Sequence, residues 1–281
     1  MLSKLWFLFM TENASTINCF RTEFCAKFCW GSCPRVACYN IHNIGNNQQP
    51  MKPTSINQAW NGTEKCEQCP IRHLVLFSDL QHEDFNQLHV PINDLEIDTG
   101  NSLYKEKEDA QFVYTIRSGM VKLVRYLPNG SYRIVRLLQQ GDLAGIEALS
   151  GSPYLHHAVT LQNTSVCRIP IENIEQLNLN SPHLYKQLTA RWQKVQSDAN
   201  IWLAELTVGN SKKRVANLLI YLSHYSTDNY FYLPSREDIG AILAITTETA
   251  SRIIAEFKRL GYLHTKHQSA VINIAKLKQI G

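Results

Sequence analysis

The chain has 281 residues, 44% of them apolar and 19% charged, an ordinary globular mixture that fits two modest domains better than one. Its net charge of +4 is unevenly placed: from Gly209 to Gly281 ten Lys/Arg stand against five Asp/Glu, which suggests a polyanionic partner for that end alone. No run of about 18 apolar residues exists, which excludes a spanning helix. The opening "MLSKLWFLFM" is followed by "TENAST" with no small-residue cleavage pattern, so the expectation is a cytoplasmic chain. There the eight cysteines would be reduced, metal-bound or redox-active rather than structural disulfides.

In chain order, residues 1–60 show five cysteines without a paired C-x-x-C and no sustained period. They read as a leader, either a disordered segment or an extension upstream of a start at Met51. Residues 61–175 read as a β domain preceded by "CEQC". Its text "FVYTIRSGMVKLVRYLPNGSYRIVRLL" alternates on both sides of Asn129-Gly130, a hairpin signal in which both turn residues take positive φ. Glycines at 119, 130, 141, 145 and 151 add the rhythm of an antiparallel sandwich or β-roll.

Residues 180–208 predict one helix of about seven turns, capped by Ser181 with Pro182 in its first turn. Leu184, Leu188, Trp192, Val195, Ala199, Trp202 and Leu206 form a single apolar seam along it. The seam suits an intramolecular core or a helix–helix dimer, and its length and place between two domains bring in the dimer.

Residues 209–281 hold an amphipathic helix, a short strand, two helices with a tight turn, and "HTKHQSAVINI" as a two-stranded wing. Ser235 and Asp238 have capping-box spacing, Thr246 is the N-cap of the second helix and Gly261 its terminator. Two such helices make a helix-turn-helix. On the second, Glu248, Ser251, Arg252 and Ala255 share one stripe, while Ala250, Ile253, Ile254, Phe257 and Leu260 share the buried one. A recognition helix enters the major groove by its N-terminal residues, where a carboxylate can accept from cytosine and an arginine can grip guanine. Thr247, Glu248, Ser251 and Arg252 are the candidate reading residues; Lys258, Ser235 and Arg236 are candidate backbone contacts.

From about Cys66 to Ile274 the chain resembles the CRP/FNR family of bacterial transcription regulators. "LPSREDIGAILAITTETASRIIAEFKRLGYL" matches the family's DNA-binding signature, and "YTIRSGMVKLVRYLPNGSYRIVRLLQQGDLAG" its β-roll. The resemblance implies an α+β chain with an N-terminal antiparallel β-roll (a cyclic-nucleotide-binding-like jelly roll), a long dimerisation helix and a C-terminal winged helix-turn-helix. Ala244 departs from it, standing where the turn often has glycine; a left-handed alanine costs about 1 kcal/mol. Glu248, Ser251 and Arg252 match the FNR-like branch, which implies a TTGAT-type half-site.

Nucleotide-binding relatives hold ribose with a glycine-glutamate pair and phosphate with Arg-Ser/Thr. Here Ile146 follows Gly145, and His156-His157 take the second place, so a cyclic nucleotide is not expected. The FNR branch holds an iron–sulfur cluster with three N-terminal cysteines and one from the β-roll. Cys66, Cys69 and Cys167 match three of them, and Val75 stands at the fourth. His73 could complete an iron–sulfur or other metal set. Alternatively Cys66 and Cys69 form a reversible disulfide, or these cysteines have no redox role.

The expectation is a homodimeric, sequence-specific regulator of transcription acting on double-stranded DNA and RNA polymerase, with no catalytic activity and no membrane partner. No Ser-His-Asp, H-E-x-x-H or phosphate-loop pattern appears. The alternative is a cyclic-nucleotide-binding signalling module, which the missing arginine and glutamate ligands disfavour.

Overall fold

Period-two alternation between Ile92 and Pro170 folds as strands. The computed structural model describes residues 60–61, 92–180, 182–225 and 230–280. In chain order the first strands are β1 (Trp60–Asn61), β2 (Ile92–Ile97), β3 (Ser102–Tyr104), β4 (Phe112–Ser118) and β5 (Val121–Tyr126). They are followed by β6 (Tyr132–Leu138), β7 (Leu143–Ala144), β8 (His157–Thr160) and β9 (Thr164–Pro170). One sheet runs β1-β2-β9-β4-β7 and the other β3-β8-β5-β6. All pairings are antiparallel except β1 with β2, where Trp60 lies opposite Ile92. Ile92, Val113, Ile116, Val121, Leu138, Val166 and Ile169 are buried in these sheets, each worth about 1.5–3 kcal/mol relative to exposure.

The β5–β6 hairpin forms where Asn129-Gly130 places it, with a different turn. Only Gly130 takes positive φ (81°), while the Gly130 N–H bonds the Leu127 carbonyl at 3.0 Å. Pro128 is the reason: its ring fixes φ near −65°, which suits the second position of a type I turn and leaves the left-handed residue to glycine. Asn129 Oδ1 then accepts from the Ser131 N–H and hydroxyl.

A helix that the sequence reading did not separate, α1 (Ile171–Asn180), follows β9 and buries Ile174 and Leu177. The long helix α2 spans Pro182–Leu206, 25 residues. Ser181, its expected cap, lies outside the described residues. The expected seam is covered at its two ends and open in its middle. Leu184 and Leu206 are fully buried within the protomer, one against α1 and the other among the C-terminal helices, with Trp202 half-buried beside it. Trp192 (55% exposed), Ala199 and Leu203 face outward, while Leu188 and Val195 lie between. The seven residues step by 4, 4, 3, 4, 3 and 4, close to the 3.6-residue helical period, so they share one face, and what differs along it is which neighbours cover it. Lys194 fastens α2 to the roll by reaching Asp142 (2.8 Å), and it also pairs with Asp198 one turn on in its own helix (2.9 Å).

The C-terminal part contains α3 (Ser211–Ser223), β10 (Phe231–Tyr232), α4 (Arg236–Leu243), α5 (Thr247–Arg259), β11 (Leu263–Lys266), β12 (Ser269–Ile272) and α6 (Ile274–Lys278). Its three-stranded sheet runs β10-β12-β11, so the wing gains a third strand. Val215, Leu218, Leu219 and Leu222 of α3 pack on Ile239, Ile242, Ile254 and Phe257 of the two helices. Met120, Val124, Ile134 and Leu137 from the roll join the same core. The roll and the helix-turn-helix fall within one compact unit. Among the described residues no helix is long and apolar enough to cross a membrane.

Candidate nucleic-acid interface

Capping starts both helices of the motif. Ser235 Oγ accepts from the Asp238 N–H at 3.0 Å and donates to Asp238 Oδ2 at 2.8 Å. The acid therefore closes the box on the hydroxyl. Thr246 Oγ1 accepts from the Thr249 N–H at 3.1 Å. Each cap satisfies a donor the helix would otherwise orphan, worth about 1 kcal/mol. Gly261, at φ 68°, follows the last turn of α5.

The turn between the helices is tight. Ala244 adopts the left-handed conformation (φ 55°, ψ 43°) that the sequence implied. A Cβ on Gly240 would lie 2.7 Å from the Ile245 carbonyl oxygen, so the backbone crossing requires glycine there. Arg214 Nη1 donates to the Leu243 carbonyl at 2.7 Å, and Lys212 Nζ pairs with Glu256 at 2.7 Å, tying α3 to both helices. Sequence reasoning passed over Arg214 and Gly240. Their signal was the last residue of a Lys-Lys-Arg run and a mid-helix glycine, neither informative without the turn they serve.

Along α5, Ala250, Ile253, Ile254 and Phe257 are buried and Thr247, Glu248, Ser251 and Arg252 are exposed. Glu248 and Arg252 lie 3.5 Å apart with side chains 79% and 72% exposed. So open a pair is worth little to stability, and it leaves the arginine available to a ligand. Lys258 and Ser235 are exposed too, and Arg236 is intermediate, its guanidinium pKa lowered by burial. Leu260, expected on the buried stripe, is 43% exposed: helical geometry ends at Arg259, before the stripe returns to the core.

The sensor candidates divide differently. Cys66, Cys69 and His73, with Val75, lie outside the described residues. Cys167 on β9 is buried in a core with Ile92 and Ile169, and its thiol lies 3.5 Å from Asp94 Oδ1. Asp94 Oδ2 meets Arg117 at 3.2 Å. Among the described residues no group of three His, Cys, Asp or Glu could hold a metal ion. Cys167 therefore fits a buried thiol on a carboxylate, and the described residues alone do not make up a metal or cluster site.

The stretch from Gly145 to His157, matched above to the nucleotide-binding segment of relatives, bonds to the chain itself. Tyr104 and Tyr154 stack with centroids 3.9 Å apart; Tyr104 Oη accepts from the Gly145 N–H at 2.9 Å and Tyr154 Oη donates to the Phe112 carbonyl at 2.8 Å. His156 Nδ1 lies 3.6 Å from Glu147 Oε1. Burial pushes the Glu147 carboxyl up, but the neighbouring His156 imidazole and backbone N–H groups outweigh it and leave the carboxyl below its ordinary value. Ile146 offers no ribose ligand.

Known proteins agree with this layout. A cyclic nucleotide-binding domain family matches residues 95–180 and a Crp-like helix-turn-helix domain family matches residues 213–280. The fumarate and nitrate reduction regulatory protein of Yersinia pestis is 28% identical over 209 residues, covering 72% of this chain and 83% of its own. That of Escherichia coli K12 is equally similar. FixK2 from Bradyrhizobium japonicum superposes with a TM-score of 0.62 at 25% identity, over 68% of this chain and 98% of its own. A β-roll whose nucleotide ligands are absent, joined to a capped helix-turn-helix with an open reading edge, makes this chain a DNA-binding transcription regulator of the CRP/FNR family.

Proposed function

We propose that the chain works as a cytoplasmic homodimer that binds a palindromic, TTGAT-like operator and acts on RNA polymerase there. Residues 61–175 form the sensor, 180–208 the dimerisation helix and 209–281 the reading domain, with residues 1–60 a leader whose last residue, Trp60, pairs with β2 of the roll. The observation that carries the reading is the Glu248–Arg252 pair, held on the first turns of α5 and almost fully exposed. In the major groove Arg252 grips guanine O6 and N7, and Glu248 accepts from the paired cytosine or a neighbouring amino group. Thr247 and Ser251 flank them, while Ser235, Arg236 and Lys258 take phosphates. The outward apolar stripe of Trp192, Ala199 and Leu203 supports the dimer, because such a row on a long helix suits a second helix.

The signal is a redox or oxygen input through Cys66 and Cys69 with Cys167, by an iron–sulfur cluster or other metal completed by His73, or by a dithiol switch. Anaerobic purification with metal and sulfide analysis separates the two.

The experiment for the reading itself is titration of the full chain against a duplex carrying TTGAT and its inverted copy, beside a scrambled duplex. Strong preference for the palindrome is expected. Equal binding to both would refute sequence-specific reading of that site.

A further inference from the structure

Asp238 does more than cap α4. Its Oδ2 serves Ser235, while its Oδ1 accepts from Lys122 Nζ on β5 at 2.6 Å and from the Tyr132 hydroxyl on β6 at 3.2 Å. The Lys122 and Asp238 side chains are only 17% and 9% exposed, and the ammonium also sits 5.3 Å from the centre of the Tyr132 ring. Apolar residues from both parts share one buried core: Val124, Ile134 and Leu137 from the roll, Ile239 and Ile242 from α4.

A capping box needs only Ser235 and Asp238. Nothing in helix capping calls for a lysine 116 residues earlier. A nearly buried ion pair also carries a desolvation cost that plain apolar packing would avoid, so what it adds is one defined geometry. The chain supplies the need for that geometry. Between α2 and α3 the backbone is a short link through Gly209 at φ 91°, which alone would let the C-terminal part swivel. The clasp is a second point of attachment, and it leaves the Glu248–Arg252 edge of α5 uncovered.

We propose that Lys122 and Tyr132 are positioning residues for DNA reading. By holding Asp238 they set the α4–α5 pair at one angle to the long helix, so that two recognition helices meet half-sites at a single separation. This rests on the dimeric reading above, and deepens it: the roll itself takes part in choosing the operator's spacing.

The test uses the full chain and a series of duplexes carrying TTGAT and its inverted copy, with the separation stepped by single base pairs about one helical turn. A duplex with one half-site completes the series. The wild type should bind one separation best. Lys122→Met and Tyr132→Phe should each weaken binding at that separation by about tenfold and flatten the dependence on separation, because an unclasped module pays an ordering cost but reaches more registers. Neither should change binding to the single half-site, and Lys122→Arg should restore the wild-type profile. Variants with an unaltered separation profile overturn the clasp, as does an equal loss on half-site and palindrome, which would report damage to the fold. A wild type indifferent to separation overturns the dimeric reading and the clasp with it.

Discussion

The turn between α4 and α5 makes two opposite predictions from positions four residues apart. Ala244 is exposed and left-handed, a conformation that costs an L-residue about 1–2 kcal/mol and glycine almost nothing. Ala244→Gly removes that strain but gives the unfolded chain more freedom, worth about 0.4–1 kcal/mol in the other direction. The net expectation is a gain of about 0.5–1 kcal/mol. Gly240→Ala does the reverse. Its new Cβ would meet the Ile245 carbonyl at 2.7 Å, and the obstacle is backbone, which cannot rotate aside. The helices would have to part, at about 1–3 kcal/mol. Urea unfolding followed by circular dichroism reads both as midpoint shifts of opposite sign with unchanged slope. A neutral Gly240→Ala, or a destabilised Ala244→Gly, would refute the reasoning that this turn is held closed against strain.

Arg252→Ala should cost about 1–3 kcal/mol on the specific duplex and nothing on a random one, as titrations on both would show, while Lys258→Ala should weaken every duplex alike and lower the salt slope by about one. Trp192→Glu puts a charge into the outward stripe of α2 and should yield monomers by sedimentation; a dimer of wild-type strength would move the interface elsewhere. The Glu147 carboxyl titrates below its ordinary value in the fold, so its stabilisation is present above the unfolded pKa of about 4.3 and is lost as pH falls through the folded value. Glu147→Gln should therefore flatten the acid limb of stability, measured as unfolding midpoint against pH, and an unchanged limb would show that another group governs it. Cys66→Ser with Cys69→Ser should leave DNA binding equal in air and under nitrogen, whereas a persisting difference places the signal elsewhere.

Local chemistry was legible in the sequence wherever the partner lay close in the chain. Thr246 caps α5, Gly261 ends it, and Glu248 meets Arg252 because these relations span only a few residues. The left-handed Ala244 was legible by position in a turn of known shape. The hairpin was placed correctly but its turn was not, since Pro128 outranks Asn129 in fixing φ. The seam of α2 was misjudged in detail: seven apolar residues at helical spacing cannot say which of them meet the chain's own α1 and α3. Least legible was Asp238. Its spacing from Ser235 announced a cap, but a second use of the same carboxylate by Lys122 and Tyr132 depends on the β5–β6 hairpin being folded and docked on α4 first.

The stacked Tyr104 and Tyr154 bear on how any signal can travel. Each ring carries its hydroxyl to a backbone group on another segment, Tyr104 to Gly145 and Tyr154 to Phe112, so the roll is pinned through its middle like a beam with a solid web. A hollow roll can swell or tighten around an occupant. A roll cross-tied in this way resists compression and moves as a piece, because close-packed interiors transmit displacement instead of absorbing it. A push on β2, where Asp94 lies opposite Cys167, would tilt the whole beam, and the other sheet, where β5 and β6 grip α4, would carry that tilt to the reading helix as leverage.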